Sequence, residues 1–171
     1  MIVILNGPPG IGKTTIAYKL TKKLRRSIVI EVDKVKYFAI DDKRLSDSLD
    51  IGDQQVLTMT RALRDTKEFV ILDYIFQTKK YFQAFVRQLR AIDRKIYAYR
   101  LRSLLSENLH RDKRRPPRMR LGPQVKEISK RLDELGDAVG YTVETTGLSV
   151  EKSAEKVYLL IESEIGAAPG R

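Results

Sequence analysis

The run Gly7-Pro8-Pro9-Gly10-Ile11-Gly12-Lys13-Thr14 has the spacing G-x-x-x-x-G-K-[ST] of a phosphate-binding loop. Its chemistry follows from the residue types. Glycines let backbone N–H groups close around phosphate oxygens, and a helix N-terminus behind the loop adds positive potential. Lys13 is placed to reach the β- and γ-phosphates of a nucleotide, and the Thr14 hydroxyl to take Mg²⁺. Two carboxylates follow apolar runs. Asp33 comes after Ile28-Val29-Ile30, where it could accept the proton of an attacking hydroxyl or cap a helix. Glu31 alternates onto the same side. Asp73 closes Phe69-Val70-Ile71-Leu72, the pattern of a strand-end carboxylate that orders Mg²⁺.

Residues 100–120 hold eight arginines and lysines against Glu107 and Asp112. Such a cluster suits a polyanion, although most charge runs are simply solvated faces. If 104–114 is helical, Arg111 and Arg115 share a face at i,i+4 and would close on an anion between them. His110, the single histidine, has no base partner or metal set and reads as incidental. Thr146, in Thr145-Thr146-Gly147-Leu148, would lie near a nucleotide base or in a plain turn before a helix capped by Ser149. The set Tyr81, Phe82, Phe85, Val86 and Leu89 has the helical spacing of core.

The elements that must position these groups alternate. Strands are expected at 2–5, 28–32, 69–72, 96–101 and 141–144. Helices are expected at 13–25, 54–65, 78–92, 104–114, 124–135 and 150–163, with 34–40 ambiguous. Alternation with short connections implies a parallel sheet covered on both faces. Pro116-Pro117 and Gly122-Pro123 bracket a hinged lid, about 104–123. The chain has 171 residues, which suits one α/β domain over 1–165 with a disordered tail at 166–171. No cysteine is present, so disulfides and thiolate metal sites are excluded. No leader or long apolar run stands out, so a cytoplasmic protein without a membrane partner is expected. The net charge of +11 favours anionic partners.

On these motifs the chain resembles the small P-loop kinases of the nucleoside-monophosphate-kinase group, nearest to chloramphenicol phosphotransferase and polynucleotide 5′-hydroxyl kinase domains. The resemblance runs over nearly the whole chain. It rests on Gly7 to Thr14, Asp33, Asp73, the arginine-rich lid, and Tyr141 to Leu148 leading into the last helix. It implies a three-layer P-loop NTPase fold with a five-stranded parallel sheet in the order 2-3-1-4-5 and a helical lid. It implies ATP and Mg²⁺ as cofactors. Gly7 and backbone N–H groups of Gly10, Ile11 and Gly12, together with Lys13, would hold the phosphates, and Thr15 the α-phosphate. Thr14 and Asp73 would order the metal. Asp33 would be the general base. Arg111 and Arg115 match the lid pattern R-x-x-x-R, and Thr146 would meet the nucleotide. Where the polynucleotide kinase has D-x-x-R, this chain reads Asp33-Lys34-Val35-Lys36, so Lys36 would supply a cation to the acceptor phosphate.

Other classes fit less well. A GTPase needs N-K-x-D, and neither Asn6 nor Asn108 begins one. An ATPase motor module would usually need more chain. The expected activity is therefore transfer of the γ-phosphate of ATP to a hydroxyl, with the 5′-hydroxyl of RNA or single-stranded DNA as the favoured acceptor. The alternatives are a kinase of a nucleoside, nucleotide or other small metabolite, and a nucleotide-gated RNA-binding protein with weak ATPase activity. The acceptor would be chosen by loops at 34–53 and 74–80. The oligomeric state is open.

Overall fold

The computed structural model describes residues 1–38 and 49–166. Asp41 to Arg44 and the tail from Ala167 lie outside the described residues. Five strands run β1 (Ile2–Asn6), β2 (Ser27–Glu31), β3 (Phe69–Asp73), β4 (Ile96–Arg102) and β5 (Tyr141–Glu144). They pair in parallel in the order β2-β3-β1-β4-β5, the expected topology. Among the described residues seven α-helices connect or follow them: α1 (Lys13–Thr21), α2 (Val32–Phe38), α3 (Ile51–Arg64), α4 (Lys79–Arg90), α5 (Leu105–Lys113), α6 (Pro123–Leu135) and α7 (Val150–Gly166).

Strand alternation sends Val3 and Leu5 to one face and Ile2 and Ile4 to the other. The first pair packs with Ile16 and Leu20 of α1 and Val157 and Ile161 of α7. The second packs with Val56 of α3, Phe76, and Phe85 and Leu89 of α4. Every residue of β1 and β3 is buried, as a sheet covered on both faces requires.

Several boundaries differ from the expectation. Strand β2 stops at Glu31, which pairs with Asp73, because β3 ends there and offers no further partner. Val32 begins α2 instead of ending the strand, so the ambiguous region is helical from its start. α1 ends at Thr21, and Arg26, with φ of 49°, turns the chain back into β2. α3 begins at Ile51 on a capping box, with Asp50 and Asp53 each accepting the other's backbone N–H. At the far end Gly166 is still helical, so the helix reaches one residue into the expected tail.

Candidate active site

The parallel registers bring Asn6, Glu31, Asp73 and Arg100 to the carboxyl edge of the sheet, where ligands of open α/β sheets bind. The loop 7–12 leaves β1 at this edge and enters α1 through Gly12, whose φ of +96° is a left-handed value. Gly10 also has positive φ, and a Cβ there would stand 2.4 Å from the Asn108 carbonyl oxygen of α5. Only glycine allows that approach of lid helix to loop. Asn6 anchors the loop from below. Its Oδ1 accepts from Gly7 N at 2.8 Å and Phe76 N at 3.0 Å. Its Nδ2 donates to Val139 O at 3.1 Å and Phe76 O at 3.4 Å.

Lys13 is buried, and its Nζ donates to Gly7 O at 2.8 Å and Pro8 O at 3.2 Å. Burial lowers its pKa, opposed by Asp73 and Asp33, while Arg115 lowers it further. The Thr14 hydroxyl donates to Asp73 Oδ2. Thr15 is exposed beside it. Burial raises the Asp73 pKa, against Lys13 and the Thr14 hydrogen bond. A hydroxyl and a carboxylate in contact at the start of α1, with an ammonium beside them, form a fitting donor set for a nucleotide with Mg²⁺.

Asp33 is the second residue of α2, inside the helix instead of flanking it. Its carboxyl is reached by solvent but is crowded by protein. Desolvation raises its pKa; Lys13 opposes this, Asp73 raises it, Lys36 opposes and Glu31 raises. Asp33 is thus within electrostatic reach of Lys13 and Asp73. Glu31 is committed elsewhere, accepting from Tyr18 Oη and Lys34 Nζ, each at 2.7 Å.

The lid arginines are arranged differently from the i,i+4 pair. α5 ends at Lys113, and Arg115 lies beyond it. Its N–H reaches Asp112 O at 3.0 Å in a tighter turn. The residue before Pro116 is driven out of the helical region, which explains the early end. Arg111 donates to Ile11 O at 3.4 Å and Glu107 Oε2 at 3.2 Å. Arg115 is 3.8 Å from Asp112. Arg111 therefore sits on the phosphate loop, and Arg115 acts electrostatically on Lys13.

Two other expected ligands have partners within the chain. Thr146 Oγ1 accepts from Leu104 N at 3.1 Å and donates to Glu144 Oε1. Beside it, Gly147 N donates to Glu107 Oε1 at 2.9 Å. Ser106, Glu107, His110 and Arg111 of α5 line an open cavity of about 380 Å³. Lys36 Nζ is held by Asp50, Asp53 and Tyr81. Ser149 Oγ caps α7 by accepting from Lys152 N at 3.2 Å.

Sequence reading passed over Asn6, Glu107, Asp112 and Asp53. Asn6 carries a signal, a polar residue ending an apolar strand directly before the glycine loop. Asp112 was counted only as a charge in the basic cluster. It is buried and accepts from Leu121 N and from Gly122 N, tying down the loop after α5. In the same cluster, Arg100 pairs with Asp133, and Arg102 with Asp133 and Glu144.

No curated protein matches the chain significantly. Solved structures share its fold along nearly their whole length. The tunicamycin resistance protein of Deinococcus radiodurans superposes with a TM-score of 0.73 at 21% identity, over 94% of each chain. A gluconokinase from Sinorhizobium meliloti gives 0.64 at 13% identity, over 98% of this chain and 97% of that one. The YorR protein of Bacillus subtilis, solved with phosphorylated GDP, gives 0.63 at 20% identity, over 97% and 98%. The chain thus has the fold of the small P-loop kinases. A family model described as an AAA domain matches residues 1–118, which span the glycine loop, Asp73 and most of the lid. On that match the chain belongs to the AAA-domain family of P-loop proteins.

Proposed function

We propose that the protein is an ATP- and Mg²⁺-dependent kinase that phosphorylates a hydroxyl. The observation that carries this reading is the placement of Asp33 on α2, two residues beyond the carboxyl end of β2, at the same sheet edge as the glycine loop and the Thr14–Asp73 pair. A carboxylate there can take the proton of an acceptor hydroxyl or of water, so acceptor dependence is what separates a kinase from an ATPase. Gly7, the N–H groups of Gly10, Ile11 and Gly12, and Lys13 would hold the β- and γ-phosphates. Thr15 would meet the α-phosphate, and Thr146 would lie near the base. Thr14 and Asp73 would hold Mg²⁺, which when bound supplies charge neutralisation for the phosphates.

The chain's own groups then do the following. Asp33 orients the acceptor hydroxyl and takes its proton as the acceptor oxygen bonds to the γ-phosphorus. The bond to the bridging oxygen breaks, and ADP leaves. Lys13, Arg111 and Arg115 stabilise charge on the transferring group. In ATP's presence Lys13 and Arg111 exchange their bonds to Gly7, Pro8 and Ile11 carbonyls for phosphate oxygens.

For the acceptor, the pairing of Arg100, Arg102 and Lys36 with the chain's own carboxylates supports a small hydroxylated metabolite, such as a nucleoside or sugar. The 5′-hydroxyl of RNA or single-stranded DNA is the second reading, supported by the +11 balance and by the exposed Lys113, Arg114 and Arg118. ADP release measured across oligonucleotides, nucleosides and sugars tests both. Acceptor-dependent release is expected. Release that no acceptor stimulates would turn the assignment to a nucleotide-gated binding protein.

A further inference from the structure

The Lys36 ammonium is closed on three acceptors: Asp50 Oδ2 at 2.8 Å, Asp53 Oδ1 at 2.9 Å and Tyr81 Oη at 3.0 Å. An ammonium has three N–H donors, so its valence is complete. The rings of Tyr74 and Tyr81 lie 5.4 Å away on further sides, within cation–π range. Each partner is fixed in turn. Asp53 is 0% exposed, and its other oxygen accepts from Asp50 N at 2.9 Å. Asp53 N donates to Asp50 Oδ1 at 2.8 Å. Tyr81 Oη donates to Asp53 Oδ1. Gly52 is part of the fit. A Cβ there would come within 2.8 Å of Lys36 Cγ and 3.1 Å of its Cα. The first turn of α3 therefore presses directly on α2.

We infer that Lys36 is a positioning residue for Asp33 instead of a ligand for an acceptor phosphate. It latches α2, which carries Asp33 one turn earlier, to α3 and α4. This rests on Asp33 being the acceptor base. The charge of Lys36 also acts on Asp33, together with Lys13 from the loop, Asp73 from β3 and Glu31 from β2. Burial works against the Lys36 charge, and the bonds to Asp50 and Asp53 and the field of Tyr74 outweigh it, so its pKa is raised. A substrate-binding cation needs free N–H groups. This one would have to break ion pairs to a fully buried carboxylate before it could bind anything.

The experiment needs no turnover, so its failure is separable from failure of the kinase reading, which the ADP-release screen tests. Lys36→Met alone leaves Asp53 buried and unpaired and is expected to unfold easily. The paired variant Lys36→Met/Asp53→Asn removes both charges and should regain most of the lost melting temperature. The carboxyl ¹³C resonance of Asp33, identified by its loss in Asp33→Asn, is read at fixed pH together with affinity for inorganic phosphate and a nucleoside 3′-monophosphate. The latch predicts a moved Asp33 resonance and phosphate-probe affinities within about twofold of the parent, or no binding by either protein, since no phosphate bond is lost. An unmoved resonance, or a loss of probe affinity of about tenfold or more, would overturn it. Tyr81→Phe supplies a second test that keeps every charge. Loss of the hydroxyl, which accepts from Lys36 and donates to Asp53, should speed amide exchange across 32–38 by about fivefold or more, and unchanged exchange there would also overturn the latch.

Discussion

Lys13, Asp33 and Asn6 all stand at the carboxyl edge of the sheet, and they separate three kinds of work. Lys13→Ala should cut phosphoryl transfer by at least about 10²-fold, the scale of one electrostatic contact to a transition state. Its ammonium binds only loop carbonyls, so the melting temperature should change little. Near-normal turnover by the folded variant would remove the loop from catalysis. Asp33→Asn should cut turnover by roughly 10²–10⁴-fold, the range for a lost general base. It should also stabilise the protein at neutral pH. The native pKa of Asp33 is raised, chiefly by desolvation, so the folded state holds its proton more tightly than the unfolded state does. Its contribution to stability is complete below the ordinary aspartate value of about 3.9 and is lost as pH climbs through the raised native value. Turnover needs the ionised form, so the acid limb of the rate profile should lie above that ordinary value. A lower melting temperature in Asp33→Asn, with turnover kept, would mark it as a helix-stabilising residue. Asn6→Ala acts on folding. It leaves Gly7 N and Phe76 N buried without their acceptor, which should cost about 2–4 kcal/mol in urea unfolding.

At the scale of elements, the lid is a helix and a tethered loop. α5 docks on the glycine loop through Asn108 against Gly10 and Arg111 against Ile11. Asp112 holds the following loop through two backbone N–H groups. Asp112→Ala should raise amide exchange across 117–122 by roughly tenfold or more, since hydrogen bonds to a charged group are lost. An ATP analogue should slow exchange in 104–123 more than in α7, because lid closure adds contacts there and none at 150–163. Equal protection with and without nucleotide would count against a closing lid.

Across the whole molecule, several of the 33 basic side chains are paired with the chain's own carboxylates, while the net charge stays +11. Lys19 of α1 and Lys23 just beyond it pair with Glu151 and Glu155 of α7. Arg100 and Arg102 are taken up by Asp133 and Glu144. In the lid, Lys113, Arg114 and Arg118 have no ion pair among the described residues. If single-stranded nucleic acid binds there through three phosphate contacts, log affinity should fall with log salt at a slope of roughly −2, from about −0.7 per phosphate. Fluorescence anisotropy of a labelled oligonucleotide across salt concentrations reads this slope. No binding at low salt would leave the small-metabolite acceptor as the reading. Among the described residues no helix is long and apolar enough to cross a membrane.

The sequence by itself determined the glycine loop, the alternation of strands and helices, the parallel sheet and its order through the family resemblance. Each of these is local or periodic: a motif, a period of two, a period of 3.6. Asp73 could be placed because a strand end is visible in one dimension, and the structure sets it on Thr14. What only the tertiary structure decided is which charges are spent. Lys36 reads as an acceptor ligand until α3 and α4 bring Asp50, Asp53 and Tyr81 to it from 14 to 45 residues away. Arg100 and Arg102 read as surplus until Asp133 arrives from α6. Ion pairs form between residues remote in sequence, and no spacing rule encodes them. The shared helix face expected of Arg111 and Arg115 is lost for a local reason instead: Pro116 ends the helix before Arg115, so a spacing of four no longer means a shared face.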